Sequence, residues 1–79
     1  MKLPRDIDAA GLIKALHKLG YEVSRQKGSH IRLSTSINGT HHVTIPNHNP
    51  LKLGTLSAIL NDIAVHFGKS KDEIANELF

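Results

Sequence analysis

The chain has 79 residues, which predicts one domain over residues 1–79 with a modest core. It has no cysteine and no apolar stretch near the roughly 20 residues that span a membrane, so we expect a cytoplasmic protein without disulfides, thiol catalysis or a membrane partner. Lys and Arg outnumber Asp and Glu by 10 to 7, and the stretch from Gly20 to Leu53 holds only one acid, Glu22. This distribution indicates a basic middle segment that can attract a polyanion such as RNA.

The first predicted element is an amphipathic helix over residues 9–19. Its apolar residues recur at helical spacing: Leu12, Ile13, Leu16 and Leu19. Asp8 is the expected N-cap. Gly20 is expected to follow the helix in the left-handed conformation, which glycine adopts at low cost.

Three strands are predicted next, because polar and apolar residues alternate over 21–26, 29–36 and 40–46. Lys27-Gly28 is the expected tight connection between the first two strands. The core face of the sheet is predicted to carry Tyr21, Val23, Ile31, Leu33, Val43 and Ile45. The opposite, open face is predicted to carry Glu22, Ser24, His30, Arg32, Ser34, His42 and Thr44.

The register of the second hairpin can be tested on the apolar pattern. A two-residue loop at Asn38-Gly39 would pair Leu33 with Thr44, which puts an apolar and a polar side chain together. A three-residue loop that starts one residue earlier, with Gly39 left-handed in a bulge, pairs Leu33 with Val43 instead. We predict the three-residue loop, because a slip of one residue would turn every side chain to the wrong face.

Two helices are predicted after the sheet. The apolar pattern of the longer helix starts between Pro50 and Thr55 and ends at Gly68. Ser70 and Glu73 match a capping box for a short final helix. We therefore predict an α+β fold of two layers, α-β-β-β-α plus the short C-terminal helix, in which helices cover one face of a three-stranded antiparallel sheet.

His30 is the residue best suited to catalysis. It is predicted to begin the second strand on the open face, directly after Gly28 and Ser29, with Lys27 and His48 at the same end of the sheet. Histidine can transfer protons near neutral pH. RNA cleavage by its own 2′-hydroxyl needs a base, an acid and positive charge beside the phosphate. This chemistry requires no metal or cofactor, and we expect none.

The other histidines have simpler predicted roles. His41 and His42 are neighbours on a strand and must point to opposite faces, so they cannot share a metal ion. His17 and His66 lie on helices and are expected to be surface residues. His48 is either a phosphate contact or a loop-packing residue, and the sequence favours neither.

The basic residues of the middle segment are candidates for phosphate contacts, with simple solvation as the alternative. The candidate RNA-binding residues are Lys27, Gly28, Ser29, Arg25, Arg32, His48 and Lys52. Few aromatic residues are expected on the surface, so stacking on bases is poorly supported. Recognition of the RNA backbone or of its shape fits this composition better.

Several segments in this order resemble the HicA (YcfA-like) family of mRNA interferase toxins, over residues from about 3 to 67. They are Gly20-Tyr21, Arg25-Gln26-Lys27-Gly28-Ser29-His30, Val43-Thr44-Ile45-Pro46 with His48, and Leu53-Gly54-Thr55-Leu56 with Ile59-Leu60. The resemblance implies a fold like a double-stranded RNA-binding domain, metal- and ribosome-independent cleavage of mRNA, and neutralisation by a HicB-like antitoxin. It also implies that His30, the histidine of the Gly-Ser-His motif, is catalytic.

Two other functions fit parts of the sequence. One is a non-catalytic double-stranded RNA-binding module, which would need basic residues at the start of the longer C-terminal helix, where only Lys52 lies. The other is a protein whose open face binds only another polypeptide. We predict an endoribonuclease toxin of a type II toxin–antitoxin system, with mRNA and a HicB-like antitoxin as partners.

Overall fold

The structure, a computed structural model, describes residues 3–79, so the first two residues of the predicted domain lie outside the described residues. The elements in chain order are α1 (Ala9–Leu16) with a 3₁₀ turn (His17–Leu19), β1 (Glu22–Lys27), β2 (His30–Thr35), β3 (His41–Pro46), α2 (Leu53–Phe67) and α3 (Lys71–Leu78). The strands form one antiparallel sheet in the order β1-β2-β3. The predicted α+β order of elements is confirmed.

The core lies between the helices and one face of the sheet. Its largest fully buried side chains are Tyr21, Leu12, Leu16, Leu33, Ile45, Leu56, Leu60, Ile63 and Ile74. These residues come from all three helices, from β2 and β3, and from the turn before β1. Within residues 3–79, no helix has the length and apolar character needed to cross a membrane.

The ends of the helices follow the predicted signals. Asp8 accepts a hydrogen bond from the backbone N–H of Gly11 at 2.8 Å and caps α1. Gly20 ends the 3₁₀ turn in the left-handed conformation, with φ of 80°. Both hydrogen bonds of the capping box between Ser70 and Glu73 are present at the start of α3. These contacts satisfy backbone groups that helix ends otherwise leave without partners.

The predicted register of the second hairpin is confirmed. Leu33 pairs with Val43 and Ile31 pairs with Ile45, so the apolar side chains of both strands meet on the core face. Gly39 has the expected positive φ, 95°, and Asn38 also has a positive φ of 58°. Asparagine tolerates this conformation better than most residues. Asn38 and Gly39 therefore suit the tight turn of a short loop.

The prediction that Val23 lies in the core is wrong. Val23 pairs with Leu33 on the core side of the sheet, but its side chain is 48% exposed. β1 is an edge strand, and all of its residues are exposed. The helices bury Tyr21, which precedes the strand, and leave the strand itself uncovered.

Candidate nucleic-acid interface

His30 stands on the open face of the sheet, as the alternation predicted. It is the first residue of β2, the central strand, and it is exposed, whereas its neighbour Ile31 is buried. The loop before it is Gly28-Ser29, in which Gly28 has a φ of 57°, as a type II′ hairpin turn requires at its first position. Lys27 pairs directly with His30 across this hairpin. Directly paired residues have Cβ atoms about 5 Å apart, so an ammonium group and an imidazole share one small area.

A β-bulge turns both cations of β1 to the open face. The pairing of β1 with β2 shifts between Val23 and Arg25, so Ser24 is an extra residue in β1. Side chains of a regular strand alternate between faces, which would place Arg25 and Lys27 on the same face as Val23. The extra residue turns both side chains to the open face, a known use of bulges beside functional sites.

Arg25 and Arg32 are directly paired across β1 and β2. Like charges in this position destabilise a sheet. Within residues 3–79, neither arginine forms an ion pair, and neither does Lys27. This group of cations therefore lacks a compensating acid in the described chain, and an anionic ligand would relieve its repulsion.

The loop after β3 approaches the same end of the sheet. The backbone N–H of Asn47 donates to the carbonyl oxygen of Ser29 at 2.6 Å, which ties this loop to the turn before His30. The carbonyl oxygen of His48 accepts from the N–H of Ala9 at 3.2 Å, while its side chain is exposed. Lys52 is the exposed N-cap residue of α2, and its side chain makes no capping bond in the part of the chain that the structure describes. His48 and Lys52 thus belong to the loop that leads away from the sheet, not to its open face.

A polar cluster that the sequence did not predict lies on the covered side. The Tyr21 hydroxyl and His41 Nδ1 are 2.7 Å apart, and His41 Nε2 lies 3.3 Å from Asp62 Oδ1. Burial, and secondarily the negative charge of Asp62, raises the pKa of Tyr21 to about 12. The hydroxyl therefore keeps its proton. In the His41 tautomer that has its proton on Nε2, toward Asp62, the bare Nδ1 accepts from this hydroxyl.

His66 completes this cluster: it is partly exposed, consistent with the predicted surface position, but it also makes specific contacts. Its ring stacks on that of His41 with centroids 4.4 Å apart, and its Nε2 donates to the carbonyl oxygen of Ile37 at 3.0 Å. The Asn38 side chain donates to the carbonyl oxygen of His66 at 2.9 Å. These contacts join the β2–β3 loop to α2. They lie on the side of the sheet that faces the helices, opposite His30.

An apolar groove lined by Leu3, Pro4, Arg5 and Phe79 lies where the two ends of the described chain meet. It includes none of the residues of the open sheet face. Small molecules are usually bound in concave sites, so the exposed, cation-bearing sheet face is better suited to an extended anionic polymer.

Comparison with known proteins identifies the family. The family described as "HicA toxin of bacterial toxin-antitoxin" matches residues 10–65, from α1 into α2, and the match includes the whole sheet with His30. None of the curated proteins matches the chain, and none of the solved structures does. The match covers more than half of the 79 residues. The chain therefore belongs to the HicA family of toxins from bacterial toxin–antitoxin systems, which implies an antitoxin as its partner.

Proposed function

We propose that this toxin is an endoribonuclease that cleaves mRNA in the cytoplasm, with His30 as general base or acid, and that a HicB-like antitoxin neutralises it. The observation that carries the proposal is the position of His30. Its imidazole is exposed on the open sheet face, directly across from Lys27 and two residue pairs away from the opposed Arg25 and Arg32. Proton transfer and anion binding are therefore available at one place.

The proposed reaction uses the RNA's own 2′-hydroxyl as the nucleophile. A base takes the 2′-hydroxyl proton, the 2′-oxygen attacks phosphorus, and the bond from phosphorus to the 5′-oxygen breaks as an acid gives that oxygen a proton. The products are a 2′,3′-cyclic phosphate and a 5′-hydroxyl. His30 would act in one of the two proton transfers, and Lys27 would stabilise the charge on the phosphorane.

The rest of the interface would hold the RNA backbone. Arg25 and Arg32 offer guanidinium groups to phosphate oxygens. Gly28 would contribute a backbone N–H beside His30, since it turns the chain with a positive φ and has no side chain. Ser29 would contribute its hydroxyl. His48 and Lys52, on the loop beyond the sheet, would contact only RNA that extends past this end.

Cleavage of a defined RNA in the presence of EDTA tests the reaction. We expect turnover without added metal, and product ends that carry cyclic phosphate. Binding with no cleavage would favour the non-catalytic double-stranded RNA-binding module. Strict dependence on a divalent metal would contradict the proposed proton-transfer mechanism.

Replacement of Arg32 by alanine tests phosphate binding on the open face. The logarithm of the affinity for single-stranded nucleic acid falls with the logarithm of salt concentration, with a slope of about −0.7 per phosphate contact. We expect Arg32→Ala to weaken RNA binding at low salt and to make this slope shallower by about 0.7. The measurement is RNA affinity over a salt titration by fluorescence anisotropy.

Lys14→Ala is the matched control for that measurement. Lys14 is exposed on α1, in the helical layer on the other side of the molecule. Its removal changes the net charge by the same amount as Arg32→Ala and should leave the salt slope unchanged. If the two variants had equal slopes, the open face would not be the RNA-binding surface.

A further inference from the structure

A chain of hydrogen bonds crosses the open face at the end remote from His30. Ser24 Oγ and Ser34 Oγ are 2.8 Å apart, and Ser34 Oγ lies 2.5 Å from His42 Nδ1. Ser24 Oγ also lies 3.3 Å from the carbonyl oxygen of Arg32. The bulge residue Ser24 thus connects β1 to β2, and Ser34 connects β2 to β3. His42, at the end of this chain, is exposed.

The positions of the protons show what His42 can offer to a ligand. If Ser24 donates to the Arg32 carbonyl, Ser34 donates to Ser24 and His42 Nδ1–H donates to Ser34. If Ser24 donates to Ser34 instead, Ser34 donates to a bare Nδ1, and the proton of the neutral ring is on Nε2. The hydroxyls can switch between these arrangements, so His42 can be neutral or protonated without losing its bond to Ser34.

The other ring nitrogen is free for a ligand. Across residues 3–79, the side chain of His42 has no hydrogen bond other than the one at Nδ1. Nε2 carries a proton both in the cationic ring and in the neutral ring to which Ser34 donates. In these two states His42 presents an oriented N–H donor to solvent, which suits an anionic oxygen, whereas a neutral ring that donates from Nδ1 leaves Nε2 bare.

His42 lies too far from His30 to contact the phosphate at the proposed cleavage point. Ser34 follows His30 by four residues on β2, and His42 is paired directly with Ser34. At about 3.3 Å per strand residue, the two histidines are about 13 Å apart along the sheet. One phosphodiester group cannot touch both. The paired Arg25 and Arg32 lie between them on the same face.

We propose that His42 is a second RNA-binding residue, whose Nε2–H holds a backbone phosphate at least one nucleotide away from the phosphate at His30. The RNA then runs along the sheet from His30, over Arg32, to His42. This inference rests on the proposed function, since it assumes that RNA occupies the open face. It makes His42 a positioning residue for longer substrates and gives it no part in the proton transfers.

The test compares the cleavage of two substrates by wild type and His42→Ala. One is a dinucleotide, which reaches His30 but not His42, and the other is an oligonucleotide long enough to pass His42. For the longer RNA we expect His42→Ala to lower kcat/KM by about tenfold, mainly through KM, as the loss of a hydrogen bond to a charged group predicts. The loss on the dinucleotide should be several times smaller.

Two further variants make the test specific. His17→Ala removes an exposed histidine from the helical layer and should leave both substrates unaffected. Ser34→Ala keeps the His42 ring but removes the hydroxyl that orients it, so it should show a weaker form of the same length dependence. Equal losses of kcat/KM on both substrates, or no loss on the longer one, would overturn the inference.

Binding of the longer RNA to the His30→Ala chain separates this inference from the proposed function. If that chain binds RNA and the added His42→Ala change weakens binding, the contact between His42 and the RNA is supported even if wild type cleaves nothing. If wild type cleaves RNA and His42→Ala changes neither binding nor KM, the proposed nuclease activity is supported and the His42 contact is contradicted. A chain that binds no RNA would contradict both.

Discussion

His30→Ala is expected to lower the rate of RNA cleavage by about 10²- to 10⁴-fold, the usual contribution of a general acid or base. The folded state should be almost unchanged, because the side chain is exposed at the first position of β2 and makes no hydrogen bond or ion pair within residues 3–79. Surface substitutions of this kind usually change the free energy of unfolding by less than about 0.5 kcal/mol. The measurement is single-turnover cleavage beside thermal unfolding of the same preparation.

His17→Ala is the matched control for this loss as well. It removes an exposed imidazole from the helical layer, where no RNA contact is proposed. We expect cleavage at the wild-type rate from this variant. Cleavage by His30→Ala at the wild-type rate would contradict a catalytic role for His30, whose only remaining support would be its position in the Gly-Ser-His motif.

Gly20→Ala is expected to have the largest effect on stability. Gly20 has a φ of 80°, where an L-residue costs about 1–2 kcal/mol. An added Cβ would lie 2.5 Å from Ile37 Cδ1 and 2.9 Å from Thr35 Oγ1. The Ile37 side chain is half exposed and can move aside. Thr35 is buried and its hydroxyl donates to the carbonyl oxygen of Leu19 at 3.0 Å, so it can move only by losing that bond.

The two costs together should lower the free energy of unfolding by about 2–4 kcal/mol, measured by urea denaturation. Gly68→Ala separates them. Gly68 also has a positive φ, 64°, but an added Cβ there would meet no atom of residues 3–79 within 4 Å. Only the backbone cost of about 1–2 kcal/mol should remain. Equal destabilisation by both substitutions would show that the contact with Thr35 contributes nothing.

The parts of the fold that depend on local patterns could be predicted from the sequence. The register of the second hairpin followed from matching Leu33 to Val43, because only that pairing keeps both apolar side chains in the core. The cap at Asp8 and the left-handed Gly20 followed from the chemistry of helix ends. The position of His30 on the open face followed from the alternation in β2.

The bulge at Ser24 could not be predicted, and it changes how β1 contributes to the interface. Arg25 and Lys27 were candidate phosphate contacts because they are basic, although an unbroken alternation from Val23 would turn both toward the helices. Nothing in residues 21–26 marks Ser24 as an extra residue. Among the described residues 3–79, its hydroxyl has partners only on β2, at Ser34 and the Arg32 carbonyl, so the bulge depends on contacts that are distant in sequence.

The cluster around His41 was missed for a similar reason. No carboxylate lies near His41 in the sequence, but α2 brings Asp62 to its Nε2 and stacks His66 on its ring. Packing of α2 against the sheet creates these contacts, and helical periodicity alone does not show which polar residue faces which strand. The same limit applies to Tyr21: the apolar pattern predicts that its side chain is buried, but not which residue its hydroxyl contacts.

In the proposed reaction, the open sheet face directs the attack of a 2′-hydroxyl on its own phosphodiester. The most direct measurement compares wild-type cleavage of an RNA with cleavage of the same RNA in which the nucleotide before the scissile bond lacks its 2′-hydroxyl. We expect this one change to abolish cleavage at that bond, while the unmodified RNA gives a 2′,3′-cyclic phosphate. Cleavage of the 2′-deoxy substrate at the same bond would contradict it, since the nucleophile would then have to be water.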